Sequence, residues 1–204
     1  MLNWFLQLKA EDQLKALALL GASVAFVVSL VQYRKAQRWK RAEWVATEMD
    51  AFFHDPAVKT ALHLIDWGAR EVELHPNRDV RADRFVMVTD DALAMALMSH
   101  MDRPSGFTED EVALRDIFDH FLDRLGRIQS FVKAGLITVN DVSPYLGYWA
   151  EQISCTKPND SSVDRLVQLQ KFIQHYGYTG VAKLLSNLMA CKRSSKSGRW
   201  GMRK

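Results

Sequence analysis

An uncharged apolar run from Ala16 to Val31, followed at once by five cations, limits what this chain can fold into more than any other feature. With Gln32 and Tyr33 the run reaches 18 residues. At about 1.5 Å per residue, a helix of that length spans roughly 27 Å, close to the hydrocarbon thickness of a bilayer. We therefore predict that residues 16–33, called the anchor below, form one transmembrane helix rather than a buried helix of a soluble protein.

The charges on the two sides of the anchor predict its fate and its orientation. The cations that follow it are Arg34, Lys35, Arg38, Lys40 and Arg41. A cleaved export signal carries its positive residues before the apolar run and small residues after it, so this order predicts that the anchor is retained. On the N-terminal side, Lys9 and Lys15 are balanced by Glu11 and Asp12. The positive-inside rule then predicts an N-terminus outside the bacterial inner membrane and a cytoplasmic C-terminal part.

A stripe of small residues runs along the anchor, because Gly21, Ala25 and Ser29 recur every four residues. Stripes of this kind let two membrane helices approach each other closely. The stripe therefore predicts that the protein associates with itself through this face.

The net charge of +3 is unevenly distributed along the chain. Residues 34–41 carry +5 and residues 192–204 carry +6, which leaves −8 for residues 42–191 because residues 1–33 are neutral. The cations after the anchor are predicted to contact anionic lipid headgroups. Residues 192–204, called the basic tail below, hold too little apolar surface to fold and are predicted to be disordered, either free or on the membrane, rather than bound to nucleic acid.

The remaining chain reads as helical. Apolar residues keep a helical spacing from Ala36 to Phe52, so a juxtamembrane stem helix is predicted to continue the anchor until Pro56. The predicted organisation is an external segment at 1–15, the anchor at 16–33, the stem at 34–53, a cytosolic helical domain at 54–191 and the basic tail at 192–204. The fold class is mainly α, with a bundle that includes a small β-hairpin from EVEL at 71–74 and FVMV at 85–88.

Local signals place the helix ends within the cytosolic domain. Thr108 and Glu111 have the spacing of a capping box, and Phe107 with Val112 that of a hydrophobic staple. Pro144 is read as the start of an aromatic helix. Asp55 with Pro56, and Thr89, are read as N-terminal caps of two shorter helices, the second ending near His100. Two last helices are predicted at 163–175 and 180–190.

One group of side chains on the long helix after Thr108 has the spacing of metal ligands. Asp116, His120 and Asp123 are four and three residues apart and share a face. The same face also fits a solvent-exposed charge ladder, which we favour. The ladder consists of Arg115, Asp119, Asp123 and Arg127.

A second group comprises His54, Asp55, His63 and Asp66, and it raises the alternative of a metal-dependent hydrolase. Asp55 is needed as a helix cap and His63 lies among apolar residues, so a structural role is favoured. The sequence lacks the common nucleotide-binding, zinc-protease and hydrolase motifs. No catalytic residue, metal or cofactor is predicted.

The cysteines and the tyrosines add little chemistry. Cys155 and Cys191 lack metal-ligand spacing and are predicted to be reduced thiols in the cytosol. A set of aromatic residues is predicted to be core rather than a ligand pocket: Tyr145, Tyr148, Trp149, Tyr176 and Tyr178.

The segment FLDRLGRIQSFVKAGLITVNDVSPYLGYW resembles uncharacterised bacterial families of small single-pass membrane proteins. In those families a long helix passes through a glycine and a short connector into a helix with an aromatic pair. The resemblance covers the anchor and roughly residues 107–150. It implies a helical cytosolic domain without an established active site.

Three functional hypotheses follow. The first is a membrane-anchored, non-enzymatic sensor or protein-interaction module that acts as an oligomer in signalling. The second is a membrane-perturbing effector, such as one of antiviral defence, triggered by a nucleotide messenger bound to the cytosolic domain. The third is the metal-dependent hydrolase.

Overall fold

The computed structural model describes residues 10–154 and 163–200. The described part is mainly helical, with seven α-helices and one two-stranded sheet. The helices are α1 (Ala10–His54), α2 (Pro56–Asp66), α3 (Asp90–Ala96), α4 (Glu109–Lys133), α5 (Val139–Ser154), α6 (Val163–His175) and α7 (Thr179–Trp200). The strands are β1 (Arg70–Glu73) and β2 (Phe85–Val88), and 3-10 turns lie at Arg81–Arg84 and His100–Asp102.

The chain divides into two compact units, Met1–Trp44 and Val45–Lys204. The described part of the first unit is the N-terminal portion of α1, which begins at Ala10 with Glu11 and Asp12 in its first turn. The helix therefore starts before the predicted boundary at residue 16, and residues 1–9 of the predicted external segment lie outside the described residues.

Within the first unit, the anchor keeps its apolar side chains uncovered. Phe26 is 68% exposed and Leu19 is 72% exposed. None of the most apolar window is buried, and within the described chain α1 is the one helix long and apolar enough to cross a membrane. A soluble domain rarely leaves such a continuous apolar surface open to water.

The second unit is a helical bundle around one apolar core. Val45, Met49 and Phe52 are fully buried at its start, as the predicted stem stripe required. The earlier members of that stripe, Ala36, Trp39 and Ala42, lie in the first unit and are exposed. In the bundle, α5 packs on α7, α2 and α7 pack on α4, and α3 packs on α6.

The predicted hairpin is present and antiparallel. Val72 pairs with Val86, and the register runs from Arg70 opposite Val88 to Glu73 opposite Phe85. Val72 and Val88 point into the core while Met87 is 59% exposed, which is the alternation expected of a sheet covered on one face.

The predicted helix starts are confirmed at α2, α3 and α4. The Asp55 carboxylate accepts hydrogen bonds from the backbone of Ala57 and Val58, and the Thr89 hydroxyl accepts one from Ala92. Both hydrogen bonds of the Thr108–Glu111 capping box are present.

The start of α4 differs from the prediction in one detail. The predicted staple partner Val112 is 45% exposed. Phe107 lies instead against His100, with ring centroids 5.0 Å apart, and over the guanidinium of Arg115.

Three helix boundaries also differ from the predictions. Helix α5 begins at Val139 rather than at Pro144, because the Asp141 carboxylate accepts hydrogen bonds from the Thr138 amide and hydroxyl and caps an earlier start. Helix α3 ends at Ala96, before the predicted end near His100.

The third difference concerns α7, which extends to Trp200. It passes the predicted end near residue 190 and enters the basic tail, which we had predicted to be disordered. Residues 201–204 of the tail lie outside the described residues.

Candidate functional site

The predicted membrane residues all lie on the surface of the first unit. Gly21, Ala25 and Ser29 are exposed, and a Cβ added at Gly21 would meet no atom within 4 Å. The stripe is therefore open to a second helix. The five predicted headgroup contacts are also exposed: Arg34, Lys35, Arg38, Lys40 and Arg41.

In the second unit, Arg115 is a buried polar group whose placement contradicts the predicted charge ladder. Its side chain is only 7% exposed, whereas Asp123 and Arg127 are on the surface. Asp119 is half-buried and accepts a hydrogen bond from the Tyr178 hydroxyl at 2.7 Å. The ladder prediction is wrong because α4 buries a wider face than its apolar stripe.

Arg115 caps the C-terminal end of α3. Its Nη1 donates to the carbonyl oxygens of Ala96 at 2.6 Å and Met98 at 2.8 Å. The last carbonyls of a helix lack partners within the helix and carry the negative end of its dipole. The buried Arg115 guanidinium donates hydrogen bonds to these carbonyls, and its positive charge balances the negative end of the dipole.

Aromatic rings enclose the same guanidinium. Its central carbon lies 4.2 Å from the ring centroid of Phe107, 5.0 Å from that of Phe172 and 5.3 Å from that of Tyr176. Ring faces attract cations, and the attraction grows when water is excluded. Arg115 thereby joins the turn after α3 to α4 and α6.

The second Arg115 nitrogen orders a chain of hydrogen bonds. Nη2 donates to the Tyr176 hydroxyl at 2.7 Å, and this hydroxyl lies 2.6 Å from His100 Nδ1. Because arginine only donates, the phenol oxygen accepts from Arg115, and the same hydroxyl lies within hydrogen-bond distance of His100 Nδ1.

A serine and a histidine meet beside this chain. Ser99 Oγ lies 3.1 Å from His175 Nε2 and accepts the Met101 amide at 3.1 Å. A nucleophilic serine needs a base that is itself oriented by a third group. Among the described residues His175 Nδ1 has no hydrogen-bond partner, so the pair fits a link between the turn and α6.

An open groove of about 670 Å³ runs between the turn and α6. Its apolar floor includes Leu97, Met98 and Phe172. Polar groups around it are Ser99, Asp102, Gln168, Lys171, Gln174 and His175. Six of the ten residues that line the groove are polar, so it is more polar than most small-molecule sites.

The structure separates the predicted metal-ligand groups. His120 Nε2 contacts Asp55 Oδ2 at 2.7 Å, and His54 lies 3.2 Å from Asp50 on α1. Asp66 instead accepts hydrogen bonds from Trp67 at 2.9 Å and from the Tyr148 hydroxyl. Within the described residues no three metal-binding side chains come together.

Sequence reasoning missed a second buried arginine. Arg165 on α6 is 4% exposed, pairs with Asp90 and donates to the carbonyl of Ile65 at 3.3 Å. The contact ties α6 to the start of α3 and the end of α2. Asp90 is the first residue of α3, directly after the cap residue Thr89.

The aromatic residues divide between core and surface. Trp149 and Tyr178 pack against the core, whereas Tyr145, Tyr148 and Tyr176 are each at least 37% exposed. The core prediction is therefore right for two of the five. Cys191 is half-buried beside Asn140, and Cys155 lies outside the described residues.

Four side chains in the described part of the chain have shifted pKa values. Burial lowers the pKa of His63, and the charges of Arg70 and Lys59 add to this. Burial raises the pKa of Asp55, but hydrogen bonds from His120 and from the backbone of α2 outweigh it and leave that pKa lowered. Burial and Asp119 raise the pKa of Tyr178, and the hydrogen bond to Asp66 raises that of Tyr148.

The lowered pKa of His63 predicts a pH-dependent stability. The fold favours neutral His63, so the contribution of this residue to the free energy of unfolding is complete above the pKa of the unfolded state, about 6.5. That contribution is lost as the pH falls toward the lower pKa of His63 in the folded state. The variant H63Q cannot titrate and should lose less stability between about pH 8 and about pH 5. Thermal unfolding of both chains at the two pH values checks this, and equal losses would contradict it.

No family model, no curated protein and no solved structure matches this chain. The resemblance of the anchor and of roughly residues 107–150 to uncharacterised families of small single-pass membrane proteins therefore remains a prediction.

Proposed function

We propose that the protein is a single-pass membrane protein whose C-terminal helical domain is a non-enzymatic sensor or interaction module of an oligomer. One observation carries this proposal. The anchor exposes a continuous apolar surface, while Val45 and the residues after it bury an ordinary core. Hydrocarbon is the environment in which that exposed surface costs least.

The proposed topology places the N-terminus outside the bacterial inner membrane and the helical domain in the cytoplasm. Its support is the charge asymmetry around the anchor, neutral before it and +5 directly after it. The proposed partners are the bilayer and further copies of the same chain. The helical domain would then receive a protein partner or a small ligand.

Self-association through the small-residue stripe is directly testable. Replacing Gly21, Ala25 and Ser29 together by leucine should reduce crosslinked oligomers in native membranes by more than half, because the larger side chains keep the helices apart. Crosslinking of membranes with an amine-reactive reagent, followed by electrophoresis, measures the effect.

A matched control is available on the opposite face of the same helix. Ala16, Ser23 and Val27 lie about half a turn away from the stripe, and the triple leucine variant there also enlarges all three side chains. Equal crosslinking of the two variants and the native chain would contradict association through Gly21, Ala25 and Ser29.

A second candidate is a membrane effector triggered by a nucleotide messenger. The observation that favours it is the open groove, where the exposed Lys171 and the ring of Tyr176 lie beside an apolar floor. ATP and cyclic dinucleotides should then raise the melting temperature of the full chain in detergent, because a ligand bound only to the native state stabilises it. A variant K171E that still gives the same shift would count against this groove.

A further inference from the structure

Three arginines follow the anchor at helical spacing. Arg34, Arg38 and Arg41 are exposed on α1 and lie four and three residues apart, so they occupy one face over about 10 Å of the helix axis. The sequence holds no acidic residue between Gln32 and Ala42. Like charges at these spacings destabilise a helix, and an anion bound along the face offsets that repulsion.

The direction of helical side chains brings this face to the membrane surface. Side chains of an α-helix lean toward its N-terminus, which for residues after the anchor is the direction of the bilayer. Arg34 lies about 4.5 Å beyond Val31, within a headgroup layer roughly 5–7 Å thick. Arg38 and Arg41 lie further along the helix, but their long side chains lean back toward the bilayer and bring their guanidinium groups toward the same layer.

Two aromatic residues also indicate where the headgroup layer lies. Tyr33 is 61% exposed and Trp39 is 73% exposed, although both are large apolar rings. Tyrosine and tryptophan at the ends of membrane spans prefer the boundary between hydrocarbon and water. Their positions before and within the arginine face agree with a headgroup layer near this part of α1.

We propose that Arg34, Arg38 and Arg41 form a binding site for the phosphate groups of anionic phospholipids. The inference rests on the membrane anchor of the proposed function and goes further by assigning phosphate recognition to three of the five cations, which share one helix face. Guanidinium groups bind phosphate through two parallel hydrogen bonds, which the ammonium group of lysine does not reproduce. Lys40 lies on another face and contributes charge alone.

The test is lipid titration of the full chain in a neutral detergent, with bound lipids counted by native mass spectrometry. Phosphatidylglycerol should bind saturably and phosphatidylcholine at least about tenfold more weakly. The triple variant R34Q/R38Q/R41Q should lose about tenfold or more in affinity for phosphatidylglycerol. The control K59Q/R81Q/K183Q removes the same charge from exposed positions elsewhere and should bind like the native chain.

A charge-conserving variant separates a phosphate site from general attraction. R34K/R38K/R41K keeps every charge but loses the guanidinium geometry, so it should bind phosphatidylglycerol several-fold more weakly than the native chain. Equal affinity of this variant, or of the glutamine variant, would overturn the proposal. A duplex oligonucleotide that binds the same arginines more tightly than the lipid would also overturn it.

Failure of the anchor gives a different result. Alkaline carbonate should leave both the native chain and R34Q/R38Q/R41Q in the membrane pellet, since the anchor is intact in both. Release of the native chain would contradict both the membrane anchor and the lipid site. Retention of both chains, with equal lipid affinities, would contradict the lipid site alone.

Discussion

Replacing Arg115 by methionine is expected to lower the free energy of unfolding by about 2–4 kcal/mol, because the carbonyl groups of Ala96 and Met98 would lose their buried donor. For a chain of this size that corresponds to a drop of roughly 5–15 °C in melting temperature. Methionine fills much of the space between Phe107 and Phe172 but donates no hydrogen bond.

The matched control is R127M, on the same helix but at an exposed position. It should change the melting temperature by no more than a few degrees. Thermal unfolding of the three chains, followed by near-ultraviolet circular dichroism, gives the comparison. If R115M melts with the native chain, the buried guanidinium does not hold the end of α3.

Lysines placed in the middle of the anchor are expected to release the protein from the membrane. Val24 and Val27 are both more than half exposed and lie near the centre of the span. Each lysine at such a position costs about 2.5–3.5 kcal/mol of insertion free energy. The double variant V24K/V27K should therefore move most of the chain from the membrane fraction to the soluble or aggregated fraction.

The control places the same two lysines on α1 outside the anchor. A36K/A42K adds them at exposed positions beside existing cations and should remain in the membrane fraction. Separation by ultracentrifugation and immunoblotting measures both variants. Equal membrane retention of V24K/V27K would mean that residues 16–33 do not enter hydrocarbon.

The sequence predicted well those elements whose signals are local. The Thr108–Glu111 box, the Asp55 cap and the hairpin pairing Val72 with Val86 each depend on residues close together in the chain. Charge runs and apolar runs are local too. That locality explains why the long apolar helix could be located before any tertiary contact was known.

The helix boundaries that were wrong also have local causes. Proline favours the first turn of a helix, which is why the sequence predicts a helix start at Pro144. The cap formed by Thr138 and Asp141 begins α5 earlier. The missing proline hydrogen bond is tolerated inside this helix. The basic and polar residues after Ala190 predict the end of the last helix there, whereas α7 continues to Trp200.

The polar cluster could not be predicted because its partners are far apart in the chain. Arg115 bonds to Tyr176, 61 residues away, and Arg165 bonds to Ile65, 100 residues away. One signal was nevertheless present. Phe118 and Leu122 lie three and seven residues after Arg115, which places the arginine on a second buried line of α4.

The measurement that tests the membrane account most directly is labelling of single cysteines in intact bacterial cells. In a background with Cys155 and Cys191 replaced by serine, Q7C lies before the anchor and D79C lies in the exposed hairpin loop. We expect a membrane-impermeant maleimide to label Q7C in intact cells and D79C only after the inner membrane is permeabilised. Labelling of D79C with protection of Q7C would reverse the topology, and protection of both would contradict a membrane-spanning anchor.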